Sequence, residues 1–279
     1  MSEKISKIEG NLLNEGHELF KLLKNDPPSW WKDVKEDKDL YVDIRKMNLI
    51  EIYYKGGRAA KLELKRGGLV VTAHPKYIGK GNDPKCYKKS KDGHLNAIYQ
   101  DCEKWLCKNK LQELKSNIRK FYESPEKEIQ GRLVIENRDK YLDTEFQHRL
   151  YDGKRESIRI DLVKIEGDKI IFVELKRIDD SRLHTTKDED PEIISQMTNY
   201  REFLKVNKDA LTDYYKTLYN IKASLGLPVP KISNVSSLTV NPEPVLLIKD
   251  YEVWNKRRKI RKEKITNTLE RINVKYEFF

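Results

Sequence analysis

The stretch RIDLVKIEGDKIIFVELK, residues 159–176, decides which fold the C-terminal half is expected to adopt. It contains two runs typical of strands. Gly167-Asp168 between them suits a type II′ hairpin turn, because its first residue is glycine. If the loop is these two residues, counting outward from the turn places Asp161 directly opposite Glu174. Their Cβ atoms are then about 5 Å apart on one face of the sheet.

The two facing acids predict a bound cation. Two carboxylates at this separation repel each other unless positive charge lies between them, and a hard divalent cation is the simplest source of that charge. Lys176 follows Glu174 by two positions, so it points to the same face. A metal-ligand pair with a lysine beside it on a rigid hairpin indicates a site that cleaves phosphodiester bonds.

The spacing alone is also compatible with a solvated strand face. The neighbours of Glu174 argue against that alternative, because residues 170–173 and Leu175 are apolar, as in a strand buried on both faces. Buried charge is costly unless it is paired or bound to a metal. A similar triplet in the N-terminal half, Glu63-Leu64-Lys65 with Asp43 upstream, has polar flanks and is interpreted as a solvated sheet face.

Apolar spacing and turn residues divide the chain into two predicted domains. Residues 1–124 form a smaller β-rich domain and residues 125–279 an α/β domain, so the fold class is α/β, or α+β overall. In the first domain we predict helices over 3–24 and 95–122, and strands over 40–44, 49–54, 60–64 and 69–72. In the second we predict strands over 141–149, 157–165, 169–177, 244–249 and 274–279, and helices over 192–206, 209–224 and 251–272.

The composition favours a polyanionic partner. The 279 residues include 56 Lys and Arg against 45 Asp and Glu, and this net charge of +11 favours nucleic acid. No apolar run approaches the length of a membrane span, so no membrane partner is expected. Three cysteines without a dense framework, and no apolar leader, predict a reducing, cytoplasmic location.

A further motif lies on the helix that follows the hairpin, where Gln196 and Tyr200 are one turn apart and share a face. Together with Asp161 and Glu174-Leu175-Lys176, this motif makes residues 141–204 resemble the PD-(D/E)XK nuclease superfamily. The resemblance is to its RecB-like members in particular, which carry a Gln-x-x-x-Tyr motif on this helix. One departure is that isoleucine, not proline, precedes Asp161.

The resemblance implies a restriction-endonuclease-like mixed sheet flanked by helices, and an endonuclease that depends on Mg²⁺ or Mn²⁺ and acts mostly on DNA. The implied metal ligands are Asp161, Glu174 and the carbonyl of Leu175. Lys176 would orient or deprotonate the attacking water. Gln196 and Tyr200 would position Lys176, the water or the phosphate, and their alternative is ordinary helix packing.

Such nucleases usually add an upstream acid, and Glu145 is the candidate. If the 151–155 loop has three central residues, Glu145 faces Asp161; if it has two, Glu145 turns to the other face. Asp143 shares the facing of Glu145 under either register and is the fallback.

Basic residues outside the motif are candidates for contacts with nucleic acid. They lie after the hairpin, in the following loop, and on the basic helix predicted over 251–272: Arg177, Arg182, Lys187, Arg257, Arg258 and Arg261. A solvated helix face is the alternative for the last three.

Two rival functions remain at this stage. One is a non-catalytic nucleic-acid-binding or assembly protein on the same fold, and the other is a phosphoesterase that acts on a small nucleotide. The N-terminal domain is expected to hold or select substrate, or to mediate assembly as a homo-oligomer or with a protein partner.

Overall fold

Short apolar runs separated by paired glycines fold the N-terminal half into an antiparallel sheet in the computed structural model, which describes residues 4–184 and 190–279. Contacts divide the chain into two units. The N-terminal unit comprises residues 11–139 and 217–229, and the C-terminal unit comprises the rest. This division falls at residue 139, whereas the sequence places the domain boundary at residue 124. The helix after residue 124 packs on the first strand of the N-terminal sheet.

The N-terminal unit contains two early helices, seven strands and two later helices among its described residues. In chain order they are α1 (Glu18–Asn25), α2 (Ser29–Glu36), β1 (Leu40–Arg45), β2 (Leu49–Tyr54), β3 (Gly57–Lys65), β4 (Gly68–Ala73), β5 (Tyr87–Lys89), β6 (Leu95–Ala97), β7 (Gln100–Asp101), α3 (Lys108–Phe121) and α4 (Pro125–Glu136). The main sheet has the order β1-β2-β3-β4-β7, and β5 pairs with β6 separately. The four predicted strands are confirmed.

Both long helices predicted in this half are wrong in extent. The helix predicted over 3–24 begins only at Glu18, because His17 caps it and the Asn14 side chain accepts the Gly16 amide at 2.9 Å, which favours a turn. The helix predicted over 95–122 begins only at Lys108, whose amide donates to the Asp33 carboxylate at 2.9 Å. The residues before Lys108 include the short strands β6 and β7, which pair with β5 and β4.

The prediction of a solvated face for Asp43 is also wrong. Asp43 is 1% exposed and lies opposite Glu51 in the β1–β2 ladder. Arg45 bridges the two acids, at 3.1 Å from Asp43 and 3.0 Å from Glu51, and Lys222 contacts Asp43 at 3.1 Å. Arg58 contacts Glu51 at 2.5 Å. These cations offset the two buried acids.

The C-terminal unit is built on a mixed sheet with helices. Its described elements are β8 (Tyr141–Arg149), β9 (Ser157–Glu166), β10 (Lys169–Arg177), α5 (Glu192–Val206), α6 (Lys208–Ser224), β11 (Thr239–Val240), β12 (Val245–Lys249), α7 (Lys256–Arg271) and β13 (Tyr276–Phe278). The part of α6 from Thr217 onward belongs to the N-terminal unit. The strand order is β13-β12-β10-β9-β8, with β11 beside β10. Strands β8, β9 and β10 are antiparallel neighbours, whereas β12 runs parallel to β10 and β13 parallel to β12. The predicted α/β class is confirmed.

The start of the basic helix and one short strand differ from the predictions for this unit. The basic helix begins at Lys256 rather than at residue 251, because the Asn255 side chain accepts the Arg258 amide and caps it. The short strand β11 was not predicted, and it pairs with β10 through two residues. Among the described residues, no helix has both the length and the apolar character needed to cross a membrane.

The ion pairs of Glu51 make the stability of the N-terminal unit depend on pH. Burial alone would raise the pKa of Glu51, but Arg45, Tyr53 and Arg58 outweigh it and lower that pKa. A lowered pKa contributes stability above the unfolded-state pKa of about 4.3, and this contribution is lost as the pH falls through the folded-state value.

We therefore expect Glu51→Gln to lower the free energy of unfolding by about 3 kcal/mol at pH 7, with a difference that narrows below about pH 4.3. Urea unfolding followed by tryptophan fluorescence measures it, since Trp30, Trp31 and Trp105 all lie in this unit. Glu36→Gln, in an exposed pair with Lys32, is the control and should change little at either pH. A difference that is the same at both pH values would contradict the assignment to Glu51.

Candidate functional site

The β9–β10 hairpin has the register predicted from its turn. The ladder runs from Glu166 opposite Lys169 to Leu162 opposite Val173. Gly167 has a φ of 60°, the sign that a type II′ turn requires at its first central position. Asp161 and Glu174 are the next residue on each strand, so the turn sets their relative placement.

Asp161 is tied to the strand that carries the other acid. Its side chain is buried, and Oδ2 accepts the backbone N–H of Leu175 at 3.0 Å. A buried carboxylate that accepts a main-chain donor keeps a fixed orientation. One oxygen of Asp161 is therefore held against β10, beside Glu174.

Glu174 and Lys176 form an ion pair in the interior. They are 2% and 1% exposed, and Lys176 Nζ donates to Glu174 Oε1 and to the carbonyl oxygen of Leu175, the latter at 3.1 Å. Three groups named from the sequence are thus in direct contact: the second acid, the carbonyl between, and the lysine. A charged pair this deep is tolerated only with such partners.

Helix α5 brings its two motif residues to the same acid. Gln196 Nε2 donates to Glu174 Oε1 at 2.8 Å and to Tyr200 Oη at 2.7 Å. Tyr200 Oη donates in turn to the carbonyl oxygen of Arg159 at 2.6 Å. Burial, reinforced by the negative charge of Glu174, raises the pKa of Tyr200, so it remains a neutral donor. These contacts connect α5 to both strands of the hairpin.

The site has more negative than positive charge. Lys176 contacts Glu174, Asp161 is a second buried acid nearby, and burial together with the charge of Asp161 raises the pKa of Glu174 to about 7. Glu174 Oε2 and Gln196 Oε1 are buried and have no hydrogen-bond partner among residues 4–184 and 190–279. Two buried acceptor oxygens therefore lack a donor beside a net negative charge.

These oxygens fit a hard divalent cation. The donors would be carboxylate oxygens of Asp161 and Glu174 and the carbonyl of Leu175, which are ligand types that Mg²⁺ and Mn²⁺ accept. Within the described part of the chain, no three His, Cys, Asp or Glu side chains are grouped to hold one metal. Asp161 and Glu174 supply two acidic side chains, so the third acidic ligand stays a prediction.

The third acid, Glu145, lies at an irregular point of β8. The β8–β9 ladder places Thr144 opposite Leu162 and Phe146 opposite Ile160, which is the register of a three-residue loop. Glu145 itself has a φ of 50°, a left-handed conformation that is uncommon for glutamate in a strand. Nothing in the sequence signalled this conformation.

The irregularity re-aims the side chains on either side of Glu145. Asp143 accepts the hydroxyl of Tyr215 at 3.1 Å, and the ring of Phe146 lies 6.2 Å from that of Tyr215. Residues three apart on a regular strand point to opposite faces, so the left-handed residue between them puts both on one side. Asp143, the fallback, is thereby engaged with α6.

Sequence reasoning missed internal partners for several predicted nucleic-acid contacts. Arg177 pairs with Asp179 and Arg182 with Asp180, each at 2.7 Å, so neighbouring acids offset their charge. Arg261 Nε donates to His184 Nε2 at 2.7 Å. Asp179 and Asp180 follow β10 closely in the sequence, and their presence could have indicated that the nearby arginines are paired.

The remaining predicted contacts differ in exposure. Arg257 is exposed, whereas Arg258 stacks on the ring of Tyr251 at 4.9 Å and donates to the carbonyl of Val253. Lys187 lies outside the described residues.

Comparison with models of protein families, with curated proteins and with solved structures gave no significant match. The resemblance to PD-(D/E)XK nucleases therefore stands on the residues of this chain alone.

The charge balance at this site predicts the effect of removing its cation. Lys176→Met keeps a long side chain but removes the cation that contacts the buried Glu174, and we expect it to lower the free energy of unfolding by about 3 kcal/mol at pH 7. The double variant Glu174→Gln/Lys176→Met should regain much of this loss, because it removes both charges. Urea unfolding in the presence of EDTA measures both. Equal losses in the single and double variants would contradict a direct interaction.

Proposed function

We propose that this chain is a divalent-metal-dependent nuclease that hydrolyses phosphodiester bonds, with DNA as the favoured substrate. One observation carries the proposal: Asp161 and Glu174 are both buried, each contacts the Leu175–Lys176 segment of β10, and Glu174 Oε2 has no hydrogen-bond partner among the described residues. A structural ion pair needs one acid for one lysine. The second acid and the unpartnered oxygen are what a cation site requires.

The arrangement of elements supports the same function. Asp161, Glu174-Leu175-Lys176 and Gln196-x-x-x-Tyr200 occur in the order of the PD-(D/E)XK motif, on a hairpin of a mixed sheet and on the next helix. Gln196 contacts Glu174 directly, which gives the motif glutamine a positioning role.

Each residue of the site has a separate role in the proposed hydrolysis. When bound, Mg²⁺ or Mn²⁺ would supply Lewis acidity toward the phosphate and lower the pKa of water. Asp161, Glu174 and the Leu175 carbonyl would hold it. Lys176 places a positive charge beside these oxygens, where it orients the attacking water and offsets negative charge that develops on the phosphate. Gln196 and Tyr200 fix the orientation of Glu174.

The charge of the chain supports a nucleic-acid substrate. The excess of basic residues attracts a polyanion, and α7 carries an exposed Arg257 in the same unit as the acids. A small nucleotide needs no such extended positive surface. Cleavage of long DNA with no turnover of a small phosphodiester would separate these substrates.

The test of the proposed function has a matched control within the chain. We expect Mg²⁺ or Mn²⁺ to support cleavage of plasmid DNA, EDTA to abolish it, and Glu174→Gln or Lys176→Ala to lower the rate by about a hundredfold or more. Glu63→Gln and Lys65→Ala change the same residue types in the partly exposed triplet of β3 and should leave the rate unchanged.

Calorimetric titration with Mn²⁺ accompanies the cleavage assay. Binding that disappears in Glu174→Gln supports the site even if the DNA offered is not the right substrate. No binding to the wild type, with or without DNA, would sink the nuclease proposal.

The second candidate is a non-catalytic nucleic-acid-binding or assembly protein on the same fold. One observation favours it: Lys176 already donates to Glu174, so part of the acidic charge is neutralised internally. Such a protein would hold DNA equally well in EDTA and in Mg²⁺, and Mn²⁺ would not raise its melting temperature.

A further inference from the structure

A short basic hairpin in the N-terminal unit lies outside the main sheet of that unit. It comprises residues 87–97, in which β5 and β6 pair only with each other, and we call it the lysine hairpin. Its base is fixed, because Cys86 is buried and its carbonyl accepts the Ile98 amide at 2.7 Å. Its turn is also ordered, since the Ser90 amide donates to the His94 carbonyl at 2.8 Å. The lysine hairpin is therefore a built element with a defined shape.

The lysines of this hairpin have no ion-pair partner among residues 4–184 and 190–279. Lys88, Lys89 and Lys91 are exposed, and none of them forms an ion pair with any residue that the structure describes. Alternation along β5 sends Lys88 and Lys89 to opposite faces, and Lys91 lies in the turn. Positive charge thus lies on both faces, and the turn carries Lys91 followed by the exposed Asp92.

Several other basic residues in this unit are paired with acids. Ion pairs hold Lys21 to Glu18, Lys55 to Glu128, and Lys61 and Lys65 to Glu63. Three unpaired lysines within four residues repel one another, so they gain nothing for folding. An external polyanion would remove that repulsion.

We propose that the lysine hairpin binds the phosphate backbone of duplex DNA. A two-stranded β-ribbon is of a size that the major groove admits, and lysines on both faces would meet the phosphates on either side of it. An acidic protein is the weaker candidate, because the centre of a protein interface is apolar and Leu95 is the large exposed apolar side chain on the described hairpin. The inference adds a contact in the N-terminal unit and does not require that the chain cleave DNA.

The experiment measures binding of a fluorescent 30-base-pair duplex to the full chain in EDTA, by anisotropy, from about 50 to 200 mM salt. The triple variant Lys88→Gln/Lys89→Gln/Lys91→Gln should bind more weakly and lower the slope of log affinity against log salt by about 3, one for each lost phosphate contact. Its melting temperature should not fall, because no internal ion pair is removed. Arginine at the same three positions should preserve the slope.

The matched control is Lys21→Gln/Lys24→Gln/Lys32→Gln, which changes the net charge equally on exposed positions of α1 and α2. It should leave the slope nearly unchanged. Equal losses in the two triple variants, or an unchanged slope in the hairpin variant, would overturn the proposal. So would equally tight binding of a poly-glutamate peptide through the same three lysines. The binding measurement is made in EDTA, where a metal-dependent nuclease does not cleave. Its result therefore tests the lysine hairpin separately from the proposed nuclease activity.

Discussion

The buried contact of Lys176 with Glu174, beside Asp161, is the constraint on which the C-terminal unit depends. Three charges in the interior are tolerable only if nearly every polar atom finds a partner. The hairpin supplies the Leu175 amide and carbonyl, and α5 supplies Gln196. Sheet and helix are thus held in one arrangement by the same acids. Glu174 Oε2 and Gln196 Oε1 have no hydrogen-bond partner among the described residues, and under the proposed function a divalent cation would complete this arrangement.

The part of this site that could be predicted from the sequence is the part set by local geometry. A glycine turn and a side-chain period of two fix which residues face each other, and the observed ladder agrees with that count. Contacts that depend on side-chain direction cannot be derived by counting residues from the turn. The bond from Gln196 to Glu174 and the left-handed Glu145 both depend on packing between separate elements.

The helices of the N-terminal half show the opposite limit. Apolar residues recur at helical spacing over residues 3–24 and 95–122, yet the helices begin at Glu18 and Lys108. Periodicity reports which residues prefer burial, whereas a helix begins where orphan amides find a cap. His17 and Asp33 supply those caps, and Asp33 is distant in sequence from the helix it caps. A helix start that depends on a tertiary contact cannot be predicted from the local spacing of apolar residues.

Two copies of one triplet show why burial, rather than motif, decides chemistry. Glu63-Leu64-Lys65 and Glu174-Leu175-Lys176 each put a lysine beside a glutamate on a strand. Hydrogen bonds from Lys61 and Lys65 lower the pKa of Glu63 on a partly exposed face, whereas burial and Asp161 raise the pKa of Glu174 to about 7. The same residues are therefore a screened surface pair in one place and an under-compensated acid in the other. Under the proposed function, a bound divalent cation would offset the unfavourable electrostatic energy of the second acid.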